Sequence, residues 1–300
     1  MRQGWVRVVG VGLAMLLWTQ AQAGEKKVRM PTEQELKKIQ DGAPDAAPAK
    51  PAAPRKVLVW GHLWTHDPNA FAAAMMETVG KKTGAFEAVT SDDPDLLLPE
   101  KLKDFDALMM NNIHEQTPFL PANFKGLPAE DQAAAKAKEK AIQDSIVAFV
   151  AGGKGLIGVH ATTAACQPWP EYGEMIGGYD GGHIGGRVVV KLDDPESPIN
   201  AVFEGKGFVT NDEIYIFRAP YDRKKLRVLL SLDVDAMPDP GKRPDKDYAV
   251  SWIRDYGKGR VFYCSLGHVS NFYWNTYLLK HFLAGVQFAL GDLKADATPK

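Results

Sequence analysis

Three short apolar runs of this chain end in a loop that carries a histidine. Residues 155–159 (GLIGV) run into His160. Residues 56–60 (KVLVW) run into a loop, residues 61–68, that holds His66, and residues 260–264 (RVFYC) lead to Gly267 and His268. An imidazole exchanges protons near neutral pH and ligates divalent metals. The carboxyl ends of strands in an open α/β sheet are where such groups meet a ligand, because the loops diverge there. His160 also sits inside a long glycine-rich stretch, residues 152–186, GGKGLIGVHATTAACQPWPEYGEMIGGYDGGHIGG. Beyond His160, its aromatics, His183 and many glycines read as loop rather than helix or strand. Asn211, Asp212 and Glu213 add a carboxylate pair just ahead of an aromatic run, and Asn111, Asn112, His114 and Glu115 follow another apolar run.

His62 and His66 are four residues apart, a metal-ligand spacing on a helix, but Gly61 and Pro68 make the segment a loop, so spacing alone argues little. For any single histidine a surface or hydrogen-bonded structural role is the ordinary reading. Their joint position at strand ends is what selects a site. His66, His160, His268 and Glu213 are the candidate acid–base or metal-ligating groups. His183, Asp67, Asn112 and Asp212 can hold hydroxyls, and Trp64, Trp169, Tyr172, Tyr179 and Tyr215 offer flat apolar faces, with core packing as the equal alternative for each aromatic. Imidazoles and carboxylates suit proton transfer and divalent metals, and suit covalent acyl chemistry poorly.

Strands must hold these groups in place. Runs at 56–60, 86–89, 106–110 and 155–159 alternate with helical patterns at 69–82 and 133–150, the latter stopped by Gly152 and Gly153. Such alternation predicts a mostly parallel sheet covered on both faces. After residue 186 come strand-like runs at 187–192, 213–217, 226–232, 248–253 and 260–265, and only the last leads into a helix, at 278–290. The second half should extend the sheet with antiparallel strands and close the site.

Residues 1–23 have Arg2 and Arg7, an apolar core from Val8 to Trp18 and a small-residue site at Ala21-Gln22-Ala23. That is the pattern of a cleavable signal peptide, cut after Ala23, with an uncleaved anchor as the alternative. No other segment has the roughly 18 consecutive apolar residues of a membrane span, so a periplasmic or secreted chain is expected. Residues 24–55 are rich in Lys, Ala and Pro and predict a flexible linker, although Thr32 and Glu35 resemble a capping box. Residues 56–292 form one domain, followed by a tail at 293–300. The formal charge of −1 includes no basic cluster, which sets nucleic acid aside. Two cysteines, Cys166 and Cys264, are too few for a disulfide framework but could form one bond in an oxidising compartment. No glycine-rich dinucleotide fingerprint follows a strand.

Six segments in order resemble the trehalose-utilisation, ThuA-like family: WTHD (64–67), FDALMMNN (105–112), GGKGLIGVHATT (152–163), WPEYGEMIGGY (169–179) with His183, NDEIYIF (211–217) and YGKGRVFYCSLGH (256–268). The chain departs from the family pattern at Ala164, where an aspartate is common, at Ile184, where a proline follows the histidine, and before Tyr248, where Asp247 replaces a proline. The resemblance spans nearly all of residues 56–291. It implies a flavodoxin-like sheet similar to that of class I glutamine amidotransferases. Those enzymes carry a cysteine nucleophile at the turn after the central strand. Here that turn is Val159-His160-Ala161-Thr162, so glutaminase-type acyl transfer is not expected.

The resemblance also implies disaccharide utilisation through 3-keto sugars. An exported enzyme acting on a disaccharide or its 3-keto derivative by histidine and carboxylate acid–base chemistry fits these residues. A divalent metal is compatible with the set, and a separate dehydrogenase would supply the ketone. The alternatives are a non-catalytic sugar-binding protein with the same pocket and a metal-dependent hydrolase.

Overall fold

The structure is a computed structural model that describes residues 29–62, 66–237 and 243–300. The signal-like segment and Trp64 lie outside the described residues. Among the described residues, nine strands form one sheet in the order β2-β1-β3-β4-β9-β8-β7-β5-β6. β1 (Lys56–Trp60), β2 (Glu87–Ser91), β3 (Ala107–Asn111), β4 (Gly155–Val159) and β9 (Gly259–Cys264) run parallel. β5 (Tyr179–Leu192), β6 (Phe208–Arg218), β7 (Arg227–Leu232) and β8 (Ala249–Tyr256) extend the sheet antiparallel, as the change of pattern after residue 186 predicted.

Alternate residues of each strand face opposite layers. Val57 and Val59 of β1 pack with α2 (Pro68–Thr83) and α6 (Thr276–Leu290). Leu58 and Trp60 pack with the layer of α3 (Pro99–Leu102), α4 (Ala129–Ala151) and α5 (Pro170–Ile176). The two cysteines fall on opposite sides of this division, Cys264 in the first cluster and Cys166 in the second, and both are free and buried. The sheet separates them, so they form no bridge. Burial pushes the Cys264 thiol up to about 12 and raises Cys166 as well.

Residues 29–55 are not a flexible linker. Thr32 caps α1 (Glu33–Gly42): its hydroxyl accepts from the Glu35 amide at 3.3 Å, and Glu35 accepts from the Thr32 amide at 2.9 Å. Ile39 is fully buried and Ala43 nearly so. Beyond the helix, the Gln287 side chain holds Ala49 by both its amide and carbonyl, at 2.9 and 2.6 Å, and Arg55 pairs with Asp292 at 2.6 Å. One buried Ile among lysines and glutamates leaves no apolar stripe for sequence reading to find. The prolines shape a strap rather than loosen a tether. The tail docks too, with Leu293, Ala295 and Ala297 against the first cluster. Ile39→Ala should therefore cost about 2–4 kcal/mol, read as a lower denaturation midpoint at constant m-value. An unchanged midpoint would mean that the strap is detached in solution.

The stretch after His160 is also more regular than its glycines suggest. Pro170 starts α5, and Gly177, at φ 105°, ends it. Residues 179–192 are a 14-residue strand paired with β6, with a register shift between Asp180 and His183. Gly182 and Gly186 take φ of 130° and 102°. A bulge with glycines at such angles lets a bent ribbon keep its ladder. The pairing partner lies about 30 residues further on, out of reach of local reading.

Candidate active site

The carboxyl ends of β3 and β4 turn in the same way. Asn111 and Val159 are register partners, and the residues after them, Asn112 and His160, both adopt left-handed φ, 48° and 45°. For a non-glycine residue that conformation costs of order 1 kcal/mol and persists only where the surroundings impose it. At His160 they do. The Tyr263 hydroxyl donates to the His160 carbonyl at 2.7 Å, and the Thr162 hydroxyl accepts from the Val159 amide at 3.0 Å.

The His160 ring is fully buried, with Nδ1 3.0 Å from the Ser265 carbonyl. A carbonyl only accepts, so Nδ1 carries the proton and Nε2 keeps its lone pair. Burial holds this ring well below the ordinary imidazole value, so it is neutral at pH 7. Tyr215 stacks on it at 4.8 Å between centroids, its hydroxyl 3.5 Å from Nε2. Burial raises the Tyr215 phenol.

His66, at the end of the loop after β1, and His268, after β9, meet His160. The ring centroids lie 5.7 Å (His66–His160), 5.0 Å (His160–His268) and 5.5 Å (His66–His268) apart. One nitrogen from each lies within 4.8 Å of the other two. Nδ1 of His66 is buried without a hydrogen-bond partner, and burial, with His114 and His268 adding to it, brings His66 down to about 4. Three imidazoles converging on one point, two of them held neutral by burial, form a donor set for a divalent ion of borderline softness. Glu213 stands beside them, its carboxylate oxygens 3.8 Å from His160 Nε2 and 3.6 Å from the exposed His183.

Asp212, read from the sequence as a hydroxyl binder, faces inward instead. Its carboxylate accepts from the backbone amides of Gly267, His268 and Val269 at 2.8, 3.0 and 3.1 Å, and from Glu213 N at 2.9 Å. It clamps the loop that carries His268. Burial pushes Asp212 up to about 6, against the pull of those four donors.

Trp169 and Tyr172 are core residues. They stack on each other at 5.2 Å, and the Tyr172 hydroxyl donates to the Thr162 carbonyl. Tyr179 is likewise buried, its hydroxyl on the Trp169 and Cys166 carbonyls. Asn112 is buried, donating to Asn111 Oδ1 and the Tyr273 hydroxyl, while its own Oδ1 has no partner. Asp67 is exposed and accepts from the Arg29 amide at 3.3 Å. His114, noted after the third apolar run but not chosen as a site residue, meets the His66 ring edge-on at 5.2 Å. Its place just beyond β3 was the available signal.

A second buried histidine offers a control away from the site. His281 lies between Ser251 Oγ (3.1 Å) and the Ile199 carbonyl (3.3 Å), and burial brings it from 6.5 to about 4. Between those values the unfolded chain binds a proton that the native chain refuses, so this contribution to stability is full above pH 6.5 and falls as pH drops toward 4. Asp212 acts in the opposite sense, since its native value lies above the 3.8 of an unperturbed aspartate. In chelator-treated protein the urea midpoint should fall between pH 6.5 and 4, and His281→Gln should make the fall shallower. Equal slopes in the two proteins would refute the assignment.

The fold and site define a class: an open α/β domain whose strand ends gather histidines and a carboxylate, with no nucleophile at the central turn. The chain belongs to the ThuA family, described as trehalose utilisation, whose model matches residues 56–289. That membership gives it a carbohydrate-related role. No curated protein matches the chain. Its fold is similar to that of a ThuA-like protein from Bacteroides uniformis, with TM-score 0.58 and 22% identity over 79% of this chain and 93% of that one. A second, from Parabacteroides merdae, gives 0.55 and 14% over 81% and 93%. A cytoplasmic protein from Salmonella typhimurium gives 0.50 and 13% over 78% and 98%. At these identities the likeness is one of fold.

Proposed function

We propose that this protein acts on a disaccharide or its 3-keto derivative, moving a proton at the carbon beside the ketone with the help of a divalent metal. The observation that carries the reading is the convergence of His66, His160 and His268, with nitrogens within 4.8 Å of one another and two of the rings held neutral by burial. A neutral ring keeps a nitrogen lone pair free for a metal, which is the part given to these rings here. A divalent ion held by these three nitrogens would act as a Lewis acid and polarise the ketone carbonyl.

Glu213 is the base. Its carboxylate takes the proton from the carbon beside the ketone, and the C–H electron pair moves toward the carbonyl oxygen to give the enolate. His183, exposed and 3.6 Å from Glu213, exchanges that proton with water. The ketone is made beforehand by a separate dehydrogenase. We propose export as well, since residues 1–23 carry a signal-like pattern, and a mature chain beginning at Gly24 in N-terminal sequencing is its check.

Proton abstraction is tested by deuterium wash-in at the carbon beside the ketone, followed by NMR on 3-keto-disaccharides in D2O with metal-loaded protein. The parent should catalyse exchange, and Glu213→Gln should slow it by about 10²-fold or more. A parent that binds keto-sugars without exchanging any proton would replace this reading with that of a non-catalytic sugar-binding protein.

A further inference from the structure

Between β3 and α4 the chain runs from Asn112 to Pro128 with a single 3-10 turn, Phe124–Gly126. Long irregular loops inside a compact domain are commonly binding loops, above all at the carboxyl edge of a sheet. This one walls a cavity of about 1240 Å³, larger than the roughly 300–1,000 Å³ of an ordinary small-molecule site. The cavity adjoins the histidine cluster, because His114 lines it and also touches His66.

Its wall is mostly apolar: Pro94, Pro118, Phe119, Leu120, Pro121 and Phe124. Phe119 is almost fully buried and is held by Trp60 at 5.1 Å and Trp169 at 6.2 Å. Several polar side chains around it are already engaged. Gln116 donates to the Ala164 carbonyl at 2.9 Å and accepts from the Gln167 amide at 3.1 Å, and Lys138 is paired with Asp95.

Glu115 differs. One of its oxygens accepts from the His114 amide at 3.0 Å, while the other, Oε1, is buried with no partner. A buried carboxylate oxygen without a donor is costly and is relieved by a ligand hydroxyl. Glu115 stands at the cluster end of the cavity, close enough for its charge to act on His66. The cavity thus offers a hydroxyl acceptor next to the histidines and an apolar wall beyond. A second sugar ring lying against that wall would leave hydroxyls unpaired, whereas a flat apolar body would not.

We propose that the cavity takes the apolar aglycone of a glycoside whose sugar ring sits at the histidines, with Glu115 Oε1 accepting a hydroxyl at the junction. This rests on the reading above that a sugar ring binds at the histidines, and it narrows the substrate from a disaccharide to a glycoside with an apolar aglycone. The test is calorimetric titration of the full chain with matched methyl and phenyl glycosides of glucose and galactose, in both anomers, with trehalose and phenol alongside. Leu120→Asp, a loop substitution on the wall, is the variant, and its melting curve checks the fold.

Some phenyl glycoside should bind at least about tenfold tighter than its methyl counterpart and than trehalose. Leu120→Asp should erase that difference while leaving the methyl glycoside unchanged. Equal affinities for the phenyl and methyl forms, or equal weakening of both by Leu120→Asp, would overturn the proposal. If no glycoside binds but phenol does, and Leu120→Asp abolishes it, the cavity stands as an apolar site and the sugar reading fails. If phenol and the glycosides all fail to bind, the cavity proposal itself fails.

Discussion

His160→Gln is expected to lower turnover by about 10²–10⁴-fold while the protein stays folded. Glutamine comes close to imidazole in reach, and its amide NH₂ can donate to the Ser265 carbonyl that now accepts from Nδ1 at 3.0 Å. It retains no lone pair equivalent to Nε2 for a proton or a metal, because its remaining polar atom is a weakly basic amide oxygen. The left-handed backbone at φ 45° suits histidine somewhat better than glutamine, so a small loss of stability accompanies the change.

His160→Ala is a different experiment. The ring is fully buried, so truncation leaves a void and an unpaired carbonyl, a loss of about 2–4 kcal/mol. A strand-end residue in a loop would be expected to contribute little to packing, but this one is roofed by the β5–β6 ribbon and stacked on Tyr215. Activity and melting curves therefore have to be read together. A Gln variant that is folded and inactive supports His160 at the reacting centre. A Gln variant that is folded and active removes it from the chemistry, and one that melts as early as the Ala variant makes it a structural histidine.

What the sequence revealed follows the range of the forces involved. The strands at 56–60 and 155–159 stand where their apolar runs lie, because a parallel strand buried on both faces needs an unbroken apolar segment. His66, His160 and His268 could be found for the same reason, each just beyond a run of that kind. The strap at 29–55 could not, because its anchors, Gln287 and Asp292, are about 240 residues away.

Asp212 and Glu213 show the limit most sharply. They are adjacent carboxylates of one strand, and strand geometry sends neighbouring side chains to opposite faces. One turns inward to clamp the His268 loop and the other faces His160 and His183. The alternation was there to be read, but which parity faced the site depended on the register of β6 against β5, fixed by a bulge between Asp180 and His183. The aromatics divide similarly: Tyr215 lies over His160, whereas Trp169 and Tyr172 sit beneath the sheet edge as core.

The protein, freed of metal and then offered Zn²⁺ or Co²⁺, should take up one equivalent. His66→Ala and His268→Ala should each weaken that binding by at least about tenfold, while His114→Ala should leave it unchanged. His114 is the informative control. It lies as near to His66 as the cluster members do, 5.2 Å between rings, yet it is outside the group whose nitrogens converge. Asp212→Asn reaches the same site through the backbone. An amide in place of the carboxylate keeps one acceptor and turns an NH₂ group toward amides that also donate, freeing the loop from Gly267 to Val269. That should cost about 1–3 kcal/mol of stability and, by loosening His268, weaken metal binding by about tenfold. Calorimetry gives the affinity, and the visible absorption of bound Co²⁺ reports its geometry. If Asp212→Asn lost stability while keeping full affinity, His268 would not be a ligand. If the His66 and His268 variants bound as tightly as the parent, the three rings would not be the metal site, and proton transfer would rest on Glu213 and His183 alone.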